Sequence, residues 1–185
     1  MTLSRQVGES LDLDLRAMED LEAAARLHRL GSVCLAPAPA GSSTPRPRRS
    51  RSWMGTSGHT RDSELARVAD MTAHILAGGD RLDRVGTVVA AAARPHRRTR
   101  SSENGSRTSE DTERAAEPPG AGVLRVVSTY EELTGGDDGR AVLALERMYT
   151  GPAYMFDPGA LAALEIVLSD SGLLDAGSRS EDGEV

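Results

Sequence analysis

His28 ends the run "LEAAARLH" and is followed at once by Arg29, then by Gly31 and by Cys34 in the short apolar stretch "GSVCLAP". An imidazole can ligate a metal or carry a proton near neutral pH. A guanidinium does neither, being a permanent cation with donors only. His28 therefore has no ligand beside it, and its plain role is a helix-end cation that complements the helix dipole. His59, His74 and His96 share no metal-type spacing, and His59 and His96 read as solvated in or beside polar stretches. Cys34 is the single cysteine, which precludes an intramolecular disulfide and fits a reducing compartment. Its apolar neighbours predict a buried structural thiol rather than a nucleophile. The spacing shows no Ser-His-Asp or Cys-His pattern.

Phosphate and nucleic-acid signals are equally thin. The basic clusters are "RPRRSR" (46–51) and "RRTR" (97–100), with Trp53 near enough to the first to stack on a base. The chain carries a net charge of −6 and offers no folded reading element, so both clusters read as solvated loop. The turn "EELTGGDDG" lacks the Lys-Ser/Thr of a phosphate loop and the spaced carboxylates of a calcium loop.

A chain of 185 residues can build one domain with a real core. All 22 basic residues are arginine and aromatics are only 3%, so the core must come from Leu, Val, Ala and Met. That composition suits helices packed closely through small residues. The opening "MTLSRQVGESLDL" has no signal-peptide core, and no window approaches the roughly 20 apolar residues of a membrane span. The expectation is a soluble, cytoplasmic protein with no membrane partner.

Two stretches poor in core formers, 36–60 and 94–122, predict long polar loops that divide the chain into three blocks. The first block predicts one helix capped by Ser10, with Asp12 and Asp14 at its positive end. Its apolar stripe is Leu11, Leu15, Met18, Leu21, Ala25 and His28, and Gly31 is placed for a left-handed stop. The second block predicts two helices. One is capped by Ser63, turns Leu65, Val68, Thr72, Ile75 and Leu76 inward, and stops at Gly78-Gly79. The other is capped by Asp80, turns Leu82, Val85, Val88, Val89 and Ala92 inward, and ends at Pro95. The third block predicts three helices. Leu124, Val127 and Tyr130 or Glu131 line the first, which Gly135-Gly136 closes. Val142, Leu145 and Met148 or Tyr149 line the second, capped by Asp138. Leu161, Leu164, Val167 and Leu168 line the third, capped by Asp157 with Pro158 at its first position. The expected fold is all-α, a single bundle of about six helices over 1–175 with a flexible tail, 176–185.

The order of these elements, with four local phrases, resembles the HD-GYP branch of the HD phosphohydrolase superfamily. "EAAARLHRLGSVCLAP" is similar to that family's "AALLHDIGKIGIP", and "GAGVLRVVSTYEELT" to its "AARILAVADAYDALT". "TAHILAGGDRLDRVGTVVAAAA" resembles the helix pair leading to the double histidine, and "YMFDPGALAALEIVL" resembles "FDPEVVEALLEVL". The resemblance implies an HD-like helical bundle. In such domains histidines and aspartates from several helices hold iron or manganese ions, which activate water against cyclic di-GMP.

Carried over position by position, the resemblance places His28 at the histidine of the HD pair and Arg29 at its aspartate. Ser32 stands for a basic residue, Val68 (or Asp70 on a shifted register) for the next histidine, and Ala92 and Ala93 for the double histidine. Ser128 stands for the aspartate of "VAD", the GYP phrase is missing, and the family's earliest helix would lie upstream of Met1. His28 is thus the one preserved ligand, and His28, Arg29 and Ser128 are the remnant of the site. The expectation is a catalytically silent regulatory or interaction module with no catalytic residue and no metal. Its partner would be another protein, a second copy, or a cyclic dinucleotide bound without cleavage with help from Arg29. The alternative is a residual phosphodiesterase whose iron or manganese is held by Asp70, His74, His96 or Glu131.

Overall fold

The computed structural model describes residues 2–34, 58–96, 117–152 and 155–176, with backbone alone for 58–63, 175 and 176. Among the described residues every regular element is helical, as the composition predicts. The elements are α1 (Leu3–Ser10), α2 (Leu15–Leu27), α3 (Gly58–Leu76), α4 (Asp80–Ala92), α5 (Ala121–Thr134), α6 (Ala141–Thr150), α7 (Pro158–Asp170) and the short α8 (Leu173–Ala176). Tight 3₁₀ turns occupy Leu30–Val33 and Asp138–Arg140. None of these helices is long and apolar enough to cross a membrane. Residues 35–57, 97–116 and 177–185, with Trp53 and both arginine clusters, lie outside the described residues, as does the side chain of His59.

The bundle is organised around α5. Val123, Leu124, Val126, Val127 and Tyr130 are all buried, so this helix is apolar on nearly every side. It needs cover all round, and α1, α2, α4, α6 and α7 supply it. Alanines 24, 144, 160 and 163 lie buried in those neighbours, where a small side chain lets helix axes approach.

The first block is two helices, not one. Asp12 takes a left-handed backbone (φ 52°), which ends α1 at Ser10. Aspartate is among the few L-residues that tolerate that region. Asp14 then caps α2 by accepting the Ala17 N–H at 2.7 Å, so Ser10 has no capping role. Leu15 falls outside the stripe and is 78% exposed, whereas Met18, Leu21 and Ala24 face the core with Val7 of α1.

Gly31 does not form a left-handed stop either. It sits buried in the first 3₁₀ turn, where its N–H donates to Thr72 Oγ1 at 2.7 Å. The Thr72 hydroxyl donates in turn to Val68 O within α3 at 2.9 Å. A Cβ at Gly31 would lie 2.2 Å from that same carbonyl, so only glycine permits this contact between the end of the first block and α3.

In the second block α3 begins at Gly58, which puts Ser63 inside the helix and takes 58–60 out of the expected loop. Its buried face is Ala69, Thr72 and Leu76, while Leu65 and Ile75 are exposed. Gly79, not Asp80, is the N-cap of α4, and Leu82 is exposed while Val85, Val88 and Val89 are buried. Buried Asp20 of α2 holds Arg84 of α4 through Nε at 2.8 Å and Nη2 at 3.3 Å.

The third block follows its local signals closely. Gly135 closes α5 with φ 63°, and its N–H donates to Glu131 O at 2.9 Å. Asp157 caps α7 by accepting the Ala160 N–H at 2.8 Å, with Pro158 next in line. Asp137, one residue before the expected Asp138, caps the second 3₁₀ turn. Val142 and Tyr149 are exposed, and Leu145 and Met148 take the inward places. Residues 121 and 122 belong to α5 rather than to the expected loop, and α8 extends into the expected tail as far as Ala176.

Two measurements check this packing. Gly31→Ala should cost about 1–3 kcal/mol as an overpacked site, read as a lower urea midpoint at unchanged slope. A variant as stable as the parent would show that the contact is not tight. Partial burial, with the bond to Glu165 (2.5 Å) and its charge, pushes the Tyr149 phenol up to about 12. Burial and the Asp138 charge also push Tyr130 up. Because the folded state favours the protonated phenol, Tyr149 stabilises fully below pH 10 and that contribution fades as pH rises through about 12. In a phenolate absorbance titration, Tyr149→Phe should remove the highest-pH step.

Candidate functional site

His28 follows the last residue of α2, and its backbone N–H donates to Ala24 O at 2.8 Å. Its ring Nδ1 lies 2.8 Å from Ala25 O. A carbonyl only accepts, so Nδ1 carries the hydrogen and Nε2 is the ring nitrogen left for other chemistry. Across from it runs α5, where the Ser128 hydroxyl donates to Arg125 O at 3.2 Å. His28 and Ser128 line one cleft of about 100 Å³, with Leu124 and Val127 among its apolar walls.

Other groups reach the cleft from three helices. Glu22 and Arg26 come from α2, Glu131 from α5, and Thr2 and Ser4 from the start of α1. Glu22 is paired with Arg5 at 3.2 Å, and Arg5 also holds Glu9 at 2.9 Å. Arg26 has no carboxylate partner among the described residues. Of the expected remnant the cleft thus gathers His28 and Ser128 without Arg29, and of the alternative ligands it holds Glu131. The sequence pattern missed the two α1 residues because it placed no helix before Ser10; the "GES-LDLD" break was the available signal.

The remaining sequence-marked residues lie elsewhere. Arg29 is exposed and does not line the cleft; its carbonyl accepts from Ser32 Oγ at 2.6 Å. Asp70 and His74 are exposed on α3. Ala92 and Ala93 pack against the core. Cys34 is exposed, contrary to the buried thiol its neighbours predict, because the 3₁₀ turn places both Val33 and Cys34 outside.

His96 is also not the solvated side chain its surroundings predict. Its side chain is 17% exposed, with Nδ1 2.9 Å from Glu117 Oε2 and Nε2 3.6 Å from Asp157 Oδ2. Glu117 in turn accepts from Arg125 Nη2 at 2.8 Å. The buried Arg125 guanidinium donates onward to Ala92 O through Nε at 3.1 Å and to Ala91 O through Nη2 at 2.7 Å. Its Nη1 is buried without a partner among the described residues. This cluster ties the end of α4 to the residues before α5 and to the cap of α7.

The iron or manganese that the resemblance implies can be tested against these donors. Among the described residues no three His, Cys, Asp or Glu side chains converge in a way that could hold a metal ion. In the cleft the imidazole has a hydroxyl for a neighbour, one carboxylate engaged by Arg5, and one exposed carboxylate, Glu131. That set does not fit a multi-metal centre, which needs several anionic or imidazole ligands converging. Compared with protein-family models, curated proteins and solved structures, the chain matches none. What the cleft can do is therefore read from its own atoms.

Because Arg29 is exposed and outside the cleft, Arg29→Ala should change stability by less than about 0.5 kcal/mol. A fall of several degrees in the thermal midpoint would give Arg29 a structural role that its surroundings do not show.

Proposed function

We propose that the chain is an HD-GYP-like helical domain that lacks the family's metal centre and serves as a regulatory or interaction module rather than a hydrolase. The observation that carries this reading is that His28 and Ser128, remote in sequence, line one cleft between α2 and α5. The resemblance assigns both to ligand positions, so the frame fits while the chemistry does not. A serine hydroxyl replaces a carboxylate, and alanines replace two imidazoles. Without a metal, no group in the cleft would lower the pKa of a water enough to generate hydroxide near neutral pH.

The size of the cleft narrows the role further. At about 100 Å³ it falls short of the roughly 300–1,000 Å³ that enclose a drug-sized ligand. A cyclic dinucleotide would not be enclosed there. A protein partner or a second copy would engage the outer faces, where Val142, Leu143 and Ile166 stand exposed on α6 and α7.

Elemental analysis of natively purified protein, paired with a cyclic di-GMP turnover assay, checks the reading. Iron and manganese should be far below one per chain, with turnover at background even after metal is added. Near-stoichiometric metal accompanied by turnover would establish the phosphodiesterase instead.

A further inference from the structure

We propose that the cleft beside His28 binds a small zwitterionic amino acid, its ammonium taken by acceptors on α5 and at the end of α2 and its carboxylate by Arg26. The proposal deepens the reading of a metal-free regulatory module and rests on it, since an ion in the cleft would claim the same imidazole and carboxylate. Arg26 of α2 and Glu131 of α5 line one cleft of about 100 Å³. They carry opposite charges, yet no ion pair joins them, and neither side chain has another partner among the described residues. The cleft thus holds a cation and an anion apart, both free to bind. A ligand with a single charge answers one of them, whereas a zwitterion answers both.

The neighbouring atoms suit the ammonium end. In the neutral His28 ring Nδ1 donates to Ala25 O at 2.8 Å, so Nε2 presents a lone pair. Ser128 Oγ donates its one hydrogen to Arg125 O at 3.2 Å, which leaves the oxygen able to accept. With the Glu131 carboxylate these make three acceptors in one cleft, the number of N–H donors that a primary ammonium carries. Glu22, the other carboxylate, is engaged by Arg5 at 3.2 Å, which leaves Arg26 free for the ligand's carboxylate. Leu124 and Val127 supply apolar wall for a short side chain. Because the volume is well below the roughly 300–1,000 Å³ of drug-sized pockets, the ligand is of the size of glycine or alanine and not of an aromatic amino acid.

The test titrates chelator-treated full-length protein with L-alanine and follows the backbone amide resonances of Arg26, His28 and Ser128. Saturable shifts at these amides are expected. Glu131→Gln and Arg26→Gln should each weaken binding roughly tenfold, through opposite ends of the ligand. Both side chains are exposed, so neither change should move the thermal midpoint. Methylamine and acetate, which carry one charge each, should bind roughly tenfold more weakly than alanine, and tryptophan should not bind. Methylamine or acetate binding as tightly as alanine, or unchanged affinity in Glu131→Gln, would overturn the proposal. Absence of shifts in protein that also lacks metal and turnover would overturn it alone and leave the metal-free module standing. Shifts that appear only after iron or manganese is added would overturn both.

Discussion

The constraint on which the bundle depends is that α5 is buried on nearly all sides and nevertheless carries a cation. Arg125 lies 6% exposed in the middle of that helix. A buried guanidinium is tolerable only when its donors find acceptors. The last carbonyls of α4 are in the opposite position, since a helix end leaves them without intrahelical partners. Arg125 donates to Ala92 O and also to Ala91 O, which accepts the Arg94 N–H as well, and these bonds fix α4 against α5. Glu117 then neutralises the charge from the strand of chain that leads into α5.

That anchoring decides what the cleft contains. With Arg125 turned toward α4, Leu124 and Val127 form the wall facing α2, and Ser128 and Glu131 stand at its mouth. The α2 side contributes His28 because the helix ends there and the chain must turn tightly to reach Gly31 and Thr72. Short α1 closes the third side. The polar character of the site thus comes from three helix ends or edges rather than from one motif, and its balance of donors differs from that of a metal cage.

Much of the third block was legible because its signals are local. An aspartate before a proline capped α7, and a glycine after α5 took the left-handed conformation its position implies. The second block was harder. Leu65 and Ile75 form a plausible apolar stripe, yet the helix buries Ala69, Thr72 and Leu76 instead. Close approach explains the rotation: α3 must meet Gly31 on one side and Gly86 of α4 on the other, where a Cβ at Gly86 would lie 3.2 Å from Ala73 Cα. Small residues earn such contacts while contributing little to a hydrophobicity pattern. The same blindness to distance hid the partners of His96 and the part played by α1. That His28 and Ser128 line one cleft is not indicated by the spacing of two residues so remote.

The His96–Glu117 pair has an architectural consequence. It holds together the described residues on either side of 97–116, one just after α4 and one just before α5. The two ends of that connection are thus secured by groups of the described bundle itself. Extending a connection that is already closed costs only about 0.6 kcal/mol for each doubling of its length. The chain has in this place a connection that can be lengthened at little thermodynamic expense, because its two ends stay fixed to each other.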